Sequence, residues 1–330
     1  MSVRIGVIGV GRIGSMHADL LARQVPGAEV TRVTDAHADS ARVVGRRLGV
    51  PATSVEDLLA APDVDAVAIC TSTDTHADLI VAAAAAGKAI FCEKPVSLDL
   101  AAVDRALAAV QAAGVAFQIG FNRRFDPAHA AVARAVSEGE IGEVQILRIT
   151  SRDPAPPPIE YVRTSGGIFL DMTIHDFDMA RFVAQSEVVE VYARGSVRVN
   201  PEFGEANDVD TAVILLEHEN GCLTTIDNSR QAVYGYDQRV EVFGSAGMAA
   251  SENPLAHSTI VRTATGVRAA TLPYFFLDRY IPSYLREWEA FITAIATHAT
   301  PVVGPLDARA PLVIGLAAWE SLRAGRPVRL

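Results

Sequence analysis

The chain has 330 residues, half of them hydrophobic, with a formal charge of −10 and a pI near 5.3. That length favours two domains over one, and the apolar share is ample for a sizeable core. The acidic balance, with no basic stretch interleaved with aromatics, argues against nucleic acid or an anionic membrane as partner.

The chain enters a strand almost at once, without the charged leader and apolar stretch of a signal peptide. Strand-like runs at residues 4–8, 29–34, 66–70, 89–92 and 116–119 alternate with Ala- and Leu-rich helix patterns at 13–24, 38–48, 75–86 and 99–113. Ser54-Val55-Glu56-Asp57 looks like a weak capping box on one extra short helix. Nearly continuous apolar strands alternating with helices predict a parallel sheet covered on both faces, a doubly wound Rossmann-type α/β domain over residues 1–121. The longest apolar run, around 79–86, is far too short to cross a bilayer.

After Asn122 the pattern changes. A helix over 127–137 leads to a strand over 144–150, and a loop with Pro154, Pro156, Pro157 and Pro158 follows. Proline cannot sit inside a helix or a central strand. A helix beginning near Gly166 comes next. Strand-like runs at 212–216, 223–228 and 239–243 then read as one open, mainly antiparallel sheet. Helices over 284–297 and 306–324 close the chain and would cover it. Residues 122–330 are therefore expected to form an α+β domain.

Three cysteines, Cys70, Cys92 and Cys222, are odd in number and lack metal-ligand spacing. Buried reduced thiols in a cytoplasmic protein are the expectation. No His/Cys/Asp/Glu group has the spacing of a metal site, and no metal is expected.

Gly9-Val10-Gly11-Arg12-Ile13-Gly14 is a G-x-G-x-x-G between the first strand and the first helix. In that context the first glycine makes the turn and the second admits a pyrophosphate to the backbone. The third packs helix on strand, and the helix N-terminus faces the anion. Asp35 ends the second strand 21 residues after Gly14, where a carboxylate would bind a ribose 2′-hydroxyl and repel a 2′-phosphate. NAD is expected rather than NADP. Thr71, Ser72, Thr73 and His76 follow the third strand, and Glu93-Lys94-Pro95 the fourth, at the sheet edge where such folds bind ligands. Lys94 there is either a solvated charge or a hand on a substrate hydroxyl.

Gly166-Gly167 leads to Asp171, His175 and Asp178. On a continuous helix these three fall within about 60° of one another, a polar stripe among Phe169, Met172, Ile174 and Phe177. Such a stripe is costly unless it faces a cavity that uses it.

Together the glycines, the Glu93-Lys94-Pro95 run and the Asp171/His175 pair resemble the glucose–fructose oxidoreductase/inositol dehydrogenase/rhizopine catabolism (Gfo/Idh/MocA) family, over essentially the whole chain. The resemblance implies that Lys94, Asp171 and His175 are the catalytic set, that the bond before Pro95 is cis, and that the C-terminal sheet serves a homo-oligomer, dimer or tetramer. Gly120-Phe121-Asn122-Arg123-Arg124-Phe125-Asp126-Pro127, Tyr234-Gly235-Tyr236-Asp237 and Arg279-Tyr280 are similar to segments of the inositol 2-dehydrogenase branch. They imply a polyol substrate, inositol, oxidised with NAD to a keto-inositol. Asn122, Arg123, Asp178, Tyr236 and Tyr280 are then the candidate substrate contacts. Arg152-Asp153-Pro154 departs from the Arg-Asn-Pro of some members, and Asp153 is not counted among them. A sibling sugar or polyol dehydrogenase and a non-catalytic NAD-binding sensor are the alternatives.

Overall fold

The structure, a computed structural model, describes residues 2–330. The chain divides into two compact units. One is the chain up to Asn122 with Tyr284–Leu312; the other is Arg123–Ser283 with Val313–Leu330.

In the first unit, β1 (Val3–Ile8), β2 (Ala28–Thr34), β3 (Ala66–Ile69), β4 (Ala89–Glu93) and β5 (Phe117–Gly120) form a sheet in the order β2-β1-β3-β4-β5. Every pairing is parallel. Helices α1 (Arg12–Arg23), α2 (Ala38–Leu48), α3 (Val55–Ala60), α4 (Thr73–Ala85) and α5 (Leu100–Ala113) make the connections. Ser54 does cap α3, accepting from the Asp57 amide. Strand β3 is buried at every position and β1 at nearly every one, which is why these runs read as continuously apolar rather than alternating. The order reverses between β1 and β3, so the ligand crevice expected of such sheets lies at their carboxyl ends.

The second unit contains α6 (Pro127–Ser137), β6 (Val144–Arg152), α7 (Ile159–Val162), α8 (Gly167–Asp171), α9 (Ile174–Ala184), β7 (Val188–Ser196), α10 (Glu202–Glu205) and β8 (Thr211–His218). Then come β9 (Leu223–Ser229), β10 (Asp237–Gly244), β11 (Met248–Ser251) and an exposed hairpin of β12 (Val261–Thr263) and β13 (Gly266–Arg268). Helices α11 (Phe276–Thr297) and α12 (Pro305–Ala324) follow, and β14 (Val328–Arg329) ends the fold. Seven strands pair in the order β11-β10-β6-β9-β8-β7-β14. One pair, β6 with β9, is parallel; the long excursion through α7–α9, β7 and β8 makes that crossover possible. The other pairs are antiparallel.

One face of this sheet packs Leu147, Ile149, Ile214, Ile226 and Val242 against Phe169, Phe177 and Val183 of α8 and α9 and Ile314 of α12. The other face is open. Met248, Phe243, Ile146 and Leu223 stand side by side across four adjacent strands, and all four are exposed.

Three elements differ from the sequence reading. The expected helix through Asp171 and His175 is broken at Met172–Thr173 into α8 and α9. Thr173 stands at the break: its hydroxyl lies 2.6 Å from Asn228 Oδ1 and 3.1 Å from the Ile168 carbonyl, which takes the amides of Met172 and Thr173. Helix α11 starts at Phe276, eight residues before the expected start, and runs through Pro282. Residues 284–312, expected with the C-terminal domain, fall in the first unit, where Trp288, Phe291 and Ile292 join the core around β1 and β4.

Candidate active site

The first unit builds its site mostly from backbone. Gly9 adopts φ +86°, and a Cβ there would lie 2.7 Å from the Thr71 amide nitrogen. A Cβ on Gly14 would collide with the Gly9 carbonyl oxygen, whereas a Cβ on Gly11 would meet nothing within 4 Å. The three glycines thus do what the motif requires. The turn is left-handed, helix and strand touch, and open space remains at the second glycine beside the exposed Arg12 and half-buried Ile13. This cradle fits a dinucleotide.

Asp35 follows β2 directly and accepts from the Val10 amide (2.8 Å) and the His37 amide (2.8 Å). It therefore ties the glycine loop to the end of β2 and remains half-buried rather than enclosed.

Thr71 and Ser72 stand at the mouth of β3, and Thr73 opens α4. His76 is buried, with Nδ1 2.8 Å from the Pro95 carbonyl and Nε2 3.0 Å from the Thr71 carbonyl. A neutral imidazole has one N–H, and burial keeps this ring neutral by lowering its pKa, so His76 donates to one of the two carbonyls and sits against the other, between the loops that follow β3 and β4.

The Lys94–Pro95 bond is cis, as the resemblance implies, and Lys94 is half-buried. Glu93 accepts from His17 Nε2 at 2.8 Å and, through its other oxygen, from the Lys94 amide at 3.2 Å. Burial pushes the Glu93 carboxyl up, but the His17 hydrogen bond and the neighbouring Lys94 charge outweigh it, leaving its pKa below the usual value.

The second unit builds its site from side chains far apart in sequence. From Gly167 to Ala184 every residue is buried except Asp171, His175 and Phe182. The carboxylate and imidazole are thus the polar groups of this helix pair that are half-buried rather than enclosed. Asp171 Oδ1 accepts from the Tyr161 hydroxyl at 2.7 Å, and Oδ2 from Arg230 Nη2 at 3.0 Å. Arg230 is 2% exposed, and its Nη1 lies 3.5 Å from Asp153. Burial pushes the Asp153 carboxyl up; Arg230 pulls it back and Asp171 pushes it further up.

A second buried cluster centres on Asp176. It accepts from Arg123 Nη1 (2.7 Å) and Asn228 Nδ2 (2.8 Å), while Arg123 also reaches Ser151 (3.2 Å). Desolvation lifts the Asp176 pKa to about 6 against the pull of Arg123 and Asn228. The Arg123 guanidinium lies 5.9 Å from the centre of the Tyr280 ring, which meets Tyr236 edge-on at 6.0 Å. Burial raises both phenols, and the Tyr280 hydroxyl has no hydrogen-bond partner among the described residues. That is a wall with polar capacity to spare. Asp178 instead lies in a two-pronged ion pair with Arg124 (2.9 and 2.6 Å) and is 1% exposed. Asn122, the last residue of the first unit, is buried with its Nδ2 unpartnered among the described residues.

Arg230, Tyr161, Asp176 and Asn228 were not singled out from sequence, and Asp153 was weighed there and set aside. Of the four missed residues only Asp176 carried a signal, its place inside the Asp171–Asp178 run. Among the described residues no group of three or more His, Cys, Asp or Glu could hold a metal ion, and all three cysteines are free and buried.

Residues 3–121 match the profile of the oxidoreductase family with an NAD-binding Rossmann fold, and residues 129–250 match the GFO/IDH/MocA C-terminal domain. The chain belongs to the Gfo/Idh/MocA oxidoreductase family. Its first domain is accordingly an NAD-binding Rossmann domain, and NAD is its cofactor. The chain is 48% identical to a myo-inositol 2-dehydrogenase of Thermotoga maritima, over 99% of this chain and 98% of that one. It is 44% identical to an inositol 2-dehydrogenase of Rhizobium meliloti, over 100% of both. Among solved structures it resembles scyllo-inositol dehydrogenase from Lactobacillus casei with bound NAD(H) and scyllo-inositol. There the TM-score is 0.93 at 29% identity, covering 100% of this chain and 99% of that one.

Proposed function

We propose that this protein is an NAD-dependent inositol 2-dehydrogenase, oxidising myo-inositol to its 2-keto form. The observation that carries the reading is the half-buried Asp171 and His175, the polar residues not enclosed on an otherwise largely buried pair of helices, in a chain nearly half identical to a myo-inositol 2-dehydrogenase. Oxidation of a secondary alcohol needs a base near neutrality and donors that place the remaining hydroxyls. Bound NAD supplies the hydride acceptor. His175 takes the hydroxyl proton. Asp171, kept anionic by Arg230 and Tyr161, orients the imidazole and stabilises the imidazolium. Lys94 donates to the reacting oxygen and favours its alkoxide character. Arg123, Tyr236, Tyr280 and Asn122 supply hydrogen bonds to the ring hydroxyls. Asp178 acts through Arg124, holding the turn that carries Arg123. Asp35 favours NAD over NADP by repelling a 2′-phosphate.

The enzyme works in the cytoplasm, in keeping with its free buried thiols. It assembles as a homo-oligomer, dimer or tetramer, through the open sheet face. The exposed row of Met248, Phe243, Ile146 and Leu223 is the kind of apolar patch a second copy would cover.

The deciding assay is a panel of inositols, monosaccharides and simple alcohols with NAD and NADP, read at the absorbance of the reduced cofactor. Myo-inositol should exceed simple secondary alcohols by orders of magnitude, because a site built to bond each hydroxyl rejects analogues that leave its polar groups bare. Oxidation should rise with pH as His175 becomes neutral. If every inositol is inert while a pyranose or open-chain polyol turns over, the sibling sugar dehydrogenase reading replaces this one.

A further inference from the structure

The first unit carries a hydrogen-bonded chain that no catalytic role has absorbed. His17, on α1, is wholly buried in an aromatic box. Phe91, Tyr284 and Trp288 each meet its ring edge-on, at 5.4, 5.3 and 5.6 Å between centroids. Trp288 Nε1 lies 2.8 Å from His17 Nδ1, and His17 Nε2 lies 2.8 Å from Glu93 Oε1. An indole N–H can only donate, so His17 Nδ1 must accept and cannot carry a proton. The imidazole is therefore neutral, its single proton sits on Nε2, and that proton points at a carboxylate. The chain runs one way, from the Trp288 N–H to His17 and from the His17 N–H to Glu93. Each bond polarises the next, and the last is charge-assisted. A proton on His17 Nδ1 would break the Trp288 bond inside a buried aromatic box. Glu93 Oε2 accepts the Lys94 amide at 3.2 Å. A Cβ on Gly120 of the neighbouring strand would lie 3.3 Å from that same oxygen, so little room remains for a second rotamer.

We propose that His17 and Trp288 are positioning residues for the reaction, fixing Glu93 in one rotamer and through it the Lys94 backbone at the end of β4. This rests on the reading of Lys94 as the residue that touches the reacting oxygen. Neither His17 nor Trp288 touches substrate. Their effect is on turnover, because a displacement of about 1 Å at a catalytic group can cost about 10²-fold.

Gln places an N–H donor near the position of an imidazole Nε2, whereas Leu fills similar volume with none. His17→Leu should lower kcat by about 10- to 100-fold, with the NADH dissociation constant changed less than about 3-fold, because His17 lies a turn beyond the glycines on α1 and its side chain meets Glu93 and Trp288. His17→Gln should restore most of that loss. Trp288→Phe keeps the stacking on Phe91 but deletes the donor, freeing Nδ1 to take a proton. It should lower kcat and add an ionisation to the kcat–pH profile between about pH 6 and 8, the range in which an unconstrained histidine titrates. The double variant His17→Gln/Trp288→Phe should lack that ionisation. Equal impairment of the Leu and Gln variants, or a Trp288→Phe profile superimposable on wild type, would overturn the proposal, reducing the box to packing. Should His17→Leu fail to fold, the Gln and Phe variants decide alone. Lys94→Ala, assayed alongside, separates the two readings. If it keeps wild-type turnover, the role of Lys94 itself falls and the inference with it. If it is inactive while the His17 and Trp288 variants behave as wild type, only the inference falls.

Discussion

The two units hold their functional groups by opposite means. The nucleotide cradle of the first is a matter of backbone: six consecutive residues, three of them glycine, whose missing side chains set a turn, a close contact and an opening. The hydroxyl-handling site proposed for the second is a matter of side-chain partnership across the chain. Arg230 reaches Asp171 over 59 positions, Arg123 reaches Asp176 over 53, and Asn228 reaches Asp176 over 52. A backbone site is sensitive to added bulk and indifferent to charge. A partnership site is the reverse, and substitutions should expose the difference.

The largest effect is expected where chemistry itself is removed. His175→Ala and Lys94→Ala should each lower turnover by about 10²–10⁴-fold, the usual weight of a positioned acid–base group, with NADH affinity intact by fluorescence titration. Near-wild-type turnover in either would cancel the assigned role.

Breaking the partnership comes next. Arg230→Gln leaves Asp171 and Asp153 without the cation between them. Removing one partner of a buried ion pair costs about 3–5 kcal/mol, and kcat should fall with stability. Adding Asp153→Asn relieves the repulsion and should recover part of the stability in chemical denaturation. If the double variant is no better than the single, Asp153 does not share Arg230 with Asp171.

On the backbone side, Gly14→Ala and Gly11→Ala should part company. The first drives a methyl group into the Gly9 carbonyl and should cost about 1–3 kcal/mol, as overpacking does. The second meets nothing within 4 Å, so stability should hold within about 0.5 kcal/mol while the KM for NAD rises. Equal thermal midpoints for the two would mean that the close contact at Gly14 relaxes freely.

The same contrast explains what could be read from sequence. The parallel sheet, the glycine loop and the place of Asp35 at the end of β2 were legible because their determinants are local: apolar strands, a fixed spacing, a carboxylate at a strand end. Asp171 and His175 stood out as polar residues in an apolar run. Their partners did not. Nothing near Arg230 or Tyr161 announces a reach to Asp171, and nothing near His17 announces Trp288, 271 positions away. Asp178 shared the stripe expected of a continuous helix. The helix breaks at Met172–Thr173, and Asp178 pairs with Arg124. The parallel β6–β9 pair was equally hidden, since pairing partners are set by the path of the chain and not by the strands' own residues.

The smallest expected effect lies in the pH dependence of the second unit, where two buried groups oppose each other. Asp176 has its pKa lifted to about 6 by desolvation. Between the unfolded value near 3.8 and about 6 the folded state therefore holds the extra proton, and the contribution of Asp176 to stability falls as pH rises. His129 on α6 hydrogen-bonds Ser251 through Nδ1 at 2.8 Å, and burial lowers its pKa to about 4 from 6.5. Over about pH 4 to 6.5 the unfolded chain holds the extra proton, so the contribution of His129 rises with pH. Across the shared window the two slopes, each at most about 1.4 kcal/mol per pH unit, should largely cancel. Asn can mimic Nδ1 towards Ser251, so His129→Asn should leave the Asp176 slope uncovered, with denaturation midpoints dropping from pH 4.5 to 6. Asp176→Asn should invert that trend. Hydrogen exchange resolved by peptide should place both changes in the second unit and leave the glycine cradle flat with pH. Parallel profiles for wild type and both variants would mean that neither group titrates in this range, and the buried Asp176–Arg123 pair would then be ionised throughout.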